Sequence, residues 1–241
     1  ADPELKELLD SVIEKFKKMK LSDSDAAEKM DSYLKEFYFL SDKINVSTLP
    51  LLEYQLNSAM NDLALNTSLS AEERTLILDG ILSLCEQITA KNEALDKNIL
   101  TKINKIALES YNITRNMKAF DRIISFLLFA AEKTDNIDRS ETNGLAVEYL
   151  SKIALNIYEP VKKDSGEKKE YAERERVCLD IFTRLSEASP RNMSVYRFLF
   201  NTNQYENVEG INLSDKTFGI LFNAVKKNKL ANVVCQVPYK D

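Results

Sequence analysis

Apolar residues return every three or four positions through most of the chain, the period of α-helices with one buried face. Leu5, Leu8, Leu9, Val12, Ile13, Phe16 and Met19 form the first stripe, with Asp2 as N-cap and Pro3 at the first helical position. Ser22 opens a second helix through Ala26, Ala27, Met30, Tyr33, Leu34, Phe37 and Tyr38, and Thr48 and Pro50 open a third through Leu52, Leu56, Met60 and Leu63. Ser70-Ala71-Glu72-Glu73 has the spacing of a capping box, in which hydroxyl and carboxylate satisfy each other's orphan backbone donors. It predicts a fourth helix with Leu76, Ile77, Gly80, Ile81, Leu84, Cys85 and Ile88 on its inner face.

A fifth helix uses Leu95, Ile99, Ile103, Ile106, Ala107 and Tyr111. The sixth follows Asn116 and is broad: Phe120, Ile123, Ile124, Leu127, Leu128 and Ala131 make one face, widened by Phe126 and Phe129. Width of that kind belongs to a central helix. The seventh spans about Ser140 to Tyr158, and Pro160 with the polar run through Lys169 predicts a loop. An eighth carries Tyr171, Arg174, Val177, Cys178, Ile181, Phe182 and Leu185 and ends before Pro190. Beyond it, Met193 to Phe200 and Val233 to Pro238 read as β-branched and aromatic strands, with a short helix near Phe218 to Lys227 between them. The expected fold is mainly α: an antiparallel bundle or irregular array of about eight helices over residues 5–188, followed by a small mixed α/β cap over 189–241. Residues 1–4 read as the scar of a processed, secreted expression product.

Composition narrows the chemistry. With 241 residues, 44% of them hydrophobic, the chain is long enough for a substantial core. It has no His, which removes the usual imidazole base, nucleophile partner and metal ligand, so no catalytic residue, cofactor or metal is expected. Its 5 Gly residues are too dispersed for a phosphate-cradling loop. Asp23-Ser24-Asp25 begins like a calcium loop but lacks the turn glycine and closing glutamate. Glu72 with Glu73 and Glu170 with Glu173 sit at helix starts, where acids suit the dipole.

A formal charge of -5 gives no global attraction to nucleic acid. Local basic runs at Lys15, Lys17, Lys18 and Lys20, and at Lys226, Lys227 and Lys229, close helices, while Lys162, Lys163, Lys168 and Lys169 fall in the polar loop. The longest apolar run, Ile123 to Ala131, is roughly half a bilayer span, so no membrane span is expected within the chain, although a tether outside it is compatible. Phe37, Tyr38, Phe120, Phe126 and Phe129 are either core or the lining of a site for a lipid or small hydrophobic ligand.

Five Asn-x-Ser/Thr triplets occur, at Asn45, Asn66, Asn112, Asn192 and Asn212, where 20 Asn and 30 Ser or Thr residues would place about 2.5 by chance. Asn45, Asn66 and Asn112 fall at predicted breaks between helices, which suits N-glycosylation of a secreted or surface chain. In that compartment a bridge between Cys178 and Cys235 is expected, with Cys85 on the apolar face of its helix; the alternative is three buried thiols.

Asn57-Ser58-Ala59-Met60-Asn61-Asp62-Leu63 and Leu69-Ser70-Ala71-Glu72-Glu73-Arg74, followed by Leu/Ile-rich helices, resemble the helical subdomain of polycystin-like and adhesion-receptor ectodomains. Met193-Ser194-Val195, Glu209-Gly210-Ile211-Asn212-Leu213-Ser214 and Val237-Pro238 resemble the opening strands of the β-sandwich that follows there. The similarity covers about residues 50–238 and implies an ectodomain next to a membrane. The self-cleavage site of that family needs His and Trp, and this chain has neither. The expected function is therefore non-enzymatic: a helical ectodomain of a secreted or cell-surface glycoprotein acting through a protein partner in interaction or adhesion. The rival readings are an intracellular helical-repeat scaffold or adaptor and a helical carrier of a hydrophobic ligand.

Overall fold

The computed structural model describes residues 70–90, 97–133, 145–162 and 167–189, together with positions 7, 11, 14, 60, 216, 219, 220, 222, 223, 226 and 227. The described residues form five long α-helices, and no strand occurs among them: α1 Ala71–Ala90, α2 Lys97–Asn112, α3 Met117–Lys133, α4 Leu145–Lys162 and α5 Lys168–Ala188. They correspond to the fourth to eighth helices expected from the periodicity. Of the first three expected helices only positions 7, 11, 14 and 60 are described, all helical, and of the mixed cap only helical positions between 216 and 227; the two expected strands lie outside the described residues. The chain divides into two compact units, one made of Ala1–Ser110 and Thr114–Phe126, the other of Tyr111–Ile113 and Leu127–Asp241.

In the first unit, α1 begins where the capping signal places it. The Ser70 carbonyl accepts the Arg74 N–H at 3.0 Å, closing the first turn; the Glu73 side chain of the expected box lies outside what is described. Ile77, Ile81, Leu84, Cys85 and Ile88 are buried as the stripe requires, but so are Leu78 and Leu82. α1 is thus enclosed on more than one side, a breadth the spacing assigned only to α3. Gly80 is buried with it.

Asn116 starts α3 and binds it to α1. Its Oδ1 accepts the Ala119 N–H at 3.2 Å, a helix N-cap bond, and its Nδ2 donates to Thr75 Oγ1 at 2.9 Å and to the Ala71 carbonyl at 3.3 Å. The turn leading into it is built by backbone. Thr114 N–H donates to the Glu109 carbonyl at 3.0 Å, Met117 N–H to the Arg115 carbonyl at 3.0 Å, and Arg115 sits at φ 52, in the left-handed region that a non-glycine residue occupies at a cost. Phe120, Ile123, Ile124 and Phe126 are buried on α3.

In the second unit α4 and α5 pack against each other. On α4 the buried set is broad, taking in Val147, Ser151 and Tyr158 beside Tyr149, Leu150, Ile153, Ala154 and Ile157. The helix does not stop before Pro160, where a loop is predicted; it continues through Pro160 to Lys162. A proline near the end of a helix removes one N–H and crowds the carbonyl four residues back, and the rest of the last turn needs other donors. The carbonyl four residues before Pro160 belongs to Asn156; the next one, that of Ile157, accepts a hydrogen bond from Arg174 Nη1 at 3.0 Å. Lys162 therefore ends α4, and Lys168 and Lys169 open α5 instead of lying in a loop. The α5 stripe is Tyr171, Arg174, Cys178, Ile181, Phe182, Leu185 and Ser186, with Val177 half-buried, and the helix closes with Ser189 N–H on the Leu185 carbonyl at 2.9 Å.

Candidate functional site

Two polar clusters stand out from the apolar packing, one in each unit, and each centres on an arginine. Asp79, Ser83 and Glu86 are spaced four and three residues apart on α1, which brings them to one face. Arg122 of α3 lies across that face, with Nε at 2.5 Å from Asp79 Oδ1, Nη1 at 2.7 Å from Glu86 Oε1 and Nη2 at 3.5 Å from Ser83 Oγ. Partial burial works against the charge of Arg122, yet the hydrogen bonds to Glu86 and Asp79 outweigh it and raise the guanidinium pKa above its ordinary value.

The second cluster is more deeply enclosed. Arg174 occupies a core position of α5, 8% exposed, and a guanidinium there must be paired and hydrogen-bonded to be tolerated. Its Nε donates to Glu170 Oε1 at 2.9 Å, its Nη1 to Asn112 Oδ1 and to the Ile157 carbonyl, both at 3.0 Å, and its guanidinium carbon lies 5.5 Å from the centre of the Tyr111 ring. The Tyr111 hydroxyl in turn donates to Glu173 Oε1 at 3.4 Å. Glu170 and Glu173, expected only as dipole-compensating acids, both join this network. Lys216 forms an ion pair with Glu175 on the same helix. The periodicity passed over Arg122, though a polar Asp79-Ser83-Glu86 line on an apolar helix was a readable sign that a cation faces it. For Arg174 the sign was a charged residue inside an otherwise apolar stripe.

Of the expected glycosylation residues, Asn112 is the last residue of α2, and Asn112, Ile113 and Thr114 are all exposed, Ile113 by 75%. Asn45, Asn66, Asn192 and Asn212 lie outside the described residues and are not brought to Asn112 by anything described. Cys178 is a free thiol buried in α5. Cys235, its expected bridge partner, lies outside the described residues; the Cys178 side chain is buried in the apolar stripe of its helix. Cys85 is likewise free and wholly buried. Phe120 and Phe126 are buried, Phe129 is half-buried with Lys133 Nζ 5.5 Å from its ring, and Phe37 and Tyr38 lie outside the described residues. Lys226 and Lys227 are exposed on helical positions.

Burial sets the chemistry of both thiols. It pushes Cys85 up to about 12, helped by Glu86 and opposed by Arg122, and it pushes Cys178 upward as well, reinforced by Glu175. A thiol that loses its proton more readily unfolded than folded stabilises the fold fully below the unfolded pKa, near 9.0, and loses that stabilisation as pH rises toward the folded value. Stability should therefore fall above pH 9 by roughly 1.4 kcal/mol per thiol per pH unit. Urea unfolding of the wild type and of Cys85→Ala between pH 8 and 10.5 measures this. The variant should show a slope one proton shallower, and equal slopes would refute the assignment.

No group of three or more His, Cys, Asp or Glu side chains is placed to hold a metal ion among the described residues. No helix among them is long and apolar enough to cross a membrane. No protein-family model, curated protein or solved structure matches this chain.

Proposed function

We propose that this chain is a non-enzymatic helical ectodomain of a secreted or cell-surface glycoprotein, acting by protein–protein contact or adhesion. The observation that carries the non-catalytic part is the engagement of its converging polar groups. Arg122 is held by Asp79 and Glu86, Arg174 by Glu170, Asn112 and the Ile157 carbonyl, and both described thiols are buried and protonated at neutral pH. Such contacts set how helices lie against one another; they do not present a base or nucleophile to a substrate. The compartment rests on the five Asn-x-Ser/Thr triplets, and the resemblance to polycystin-like and adhesion-receptor ectodomains belongs to the same reading.

A second reading, an intracellular helical scaffold, draws support from the free thiol at Cys178, since reducing compartments keep thiols unpaired. Intact mass of the chain secreted from a eukaryotic host, with and without glycosidase and with thiol alkylation, separates the two. The ectodomain reading expects mass above that of the bare chain that glycosidase removes. An unmodified chain with all three thiols open to alkylation after denaturation would replace it with the scaffold.

A further inference from the structure

We propose that Asn112 carries an N-linked glycan on Nδ2 and that the folded protein keeps the same side chain bonded to Arg174 through Oδ1, so that the sugar leaves the α2–α3 turn in a fixed direction. This rests on the glycoprotein reading above and deepens it, because the compartment reading alone does not say which triplet is used or how the fold accommodates it.

The geometry assigns the two branches of the Asn112 amide. A guanidinium has donors only, so the atom 3.0 Å from Arg174 Nη1 must be the acceptor, Oδ1. The amide is planar, and Nδ2 is therefore the branch turned away from Arg174. Asn112 is exposed, as are Ile113 and Thr114, and the turn that presents them is closed by the Thr114 to Glu109 and Met117 to Arg115 backbone bonds. The modification uses the branch that the fold leaves outward and spares the one that the fold uses.

The chemistry balances without a redox partner. An oligosaccharide activated as a lipid diphosphate is the donor. Asn112 Nδ2 forms a bond to the anomeric carbon, the bond from that carbon to the diphosphate oxygen breaks with its electron pair leaving on the diphosphate, and the amide nitrogen gives up one proton. The product is still a planar amide whose Oδ1 accepts hydrogen bonds. Arg174 follows Asn112 by 62 residues, so transfer to the nascent chain precedes the bond, and folding must then seat the modified side chain against the guanidinium.

The test is site-resolved glycopeptide mass spectrometry on the full chain led into the secretory pathway of a eukaryotic host, taking cell-retained and secreted protein together. The peptide containing Asn112 should carry a glycan; Thr114→Ala should lose that glycan alone, and Thr114→Ser should keep it. Because Thr114→Ala leaves Asn112 and Arg174 intact, it should melt within about 2 °C of the glycosylated wild type. Asn112→Asp, which keeps an acceptor for Arg174, should lose the glycan and hold its melting temperature, whereas Asn112→Leu should lose both. An unmodified Asn112 beside any other occupied triplet overturns this proposal and leaves the glycoprotein reading standing, while a chain bare at all five overturns both. A Thr114→Ala protein clearly more stable than the glycosylated wild type would show that the glycan displaces Arg174, contrary to the geometry.

Discussion

Arg174→Met is expected to lower the unfolding free energy by about 3 kcal/mol and the melting temperature by roughly 6–10 °C. Methionine keeps much of the aliphatic volume, so the loss reports the guanidinium and not a cavity. Three acceptors lose a donor at once: Glu170 Oε1, Asn112 Oδ1 and the Ile157 carbonyl. Glu170 is half exposed and recovers water, but the bond to Ile157 is buried, and an acceptor stranded there keeps its full desolvation cost. The planar group over Tyr111 is lost as well. Arg174→Lys should recover little, since one ammonium cannot reach acceptors on opposite edges of a guanidinium while stacking on a ring. Thermal melts paired with hydrogen exchange across α4 and α5 provide the check, and the exchange should quicken most in the last turn of α4 around Pro160. A shift smaller than 0.5 kcal/mol would mean that the arginine is tolerated at this core position without supporting it.

Phe182→Ala should cost about 3–5 kcal/mol, the range for emptying an aromatic site in a closed core. Phe182 has no exposed surface and lies on α5 beside Cys178, Ile181 and Leu185, in the unit where α4 buries Ile153, Ala154 and Ile157. The matched control is Phe222, the same side chain on a helical position but 58% exposed. Phe222→Ala should change stability by less than about 0.5 kcal/mol. Urea unfolding at neutral pH measures both, with the midpoint moving and the slope unchanged if only stability is affected. Equal effects at the two positions would contradict the burial of Phe182.

Much of the helical frame can be read from local spacing. The α2 stripe Ile99, Ile103, Ile106, Ala107 and Tyr111 is buried as expected, and the α5 stripe differs only in a half-buried Val177. Ser70 and Asn116 mark the starts of α1 and α3 because a cap acts within four residues of itself. Leu78 and Leu82 show where spacing fails: a periodic pattern reports the strongest apolar face, and a helix enclosed on further sides has no contrasting polar face to reveal it. Pro160 fails for a related reason. Its local rule predicts an end, yet the helix continues to Lys162, because a proline this close to a helix end forfeits a single intrahelical bond.

By itself, the sequence determined that the described stretches are helical, where α1 and α3 begin, and that imidazole chemistry is absent from the chain. These depend on residue type and on neighbours within a turn or two. Only the tertiary structure decided what the polar residues inside those helices do. Arg122 meets Glu86 across 36 residues and Asp79 across 43, and Arg174 meets Asn112 across 62. Hydrogen bonds of that reach leave no periodic trace, because the partner is chosen by how helices pack and by the need to satisfy a charge once packing has buried it. The same contact fixes which branch of the Asn112 amide accepts from Arg174, a distinction that a three-residue motif cannot contain.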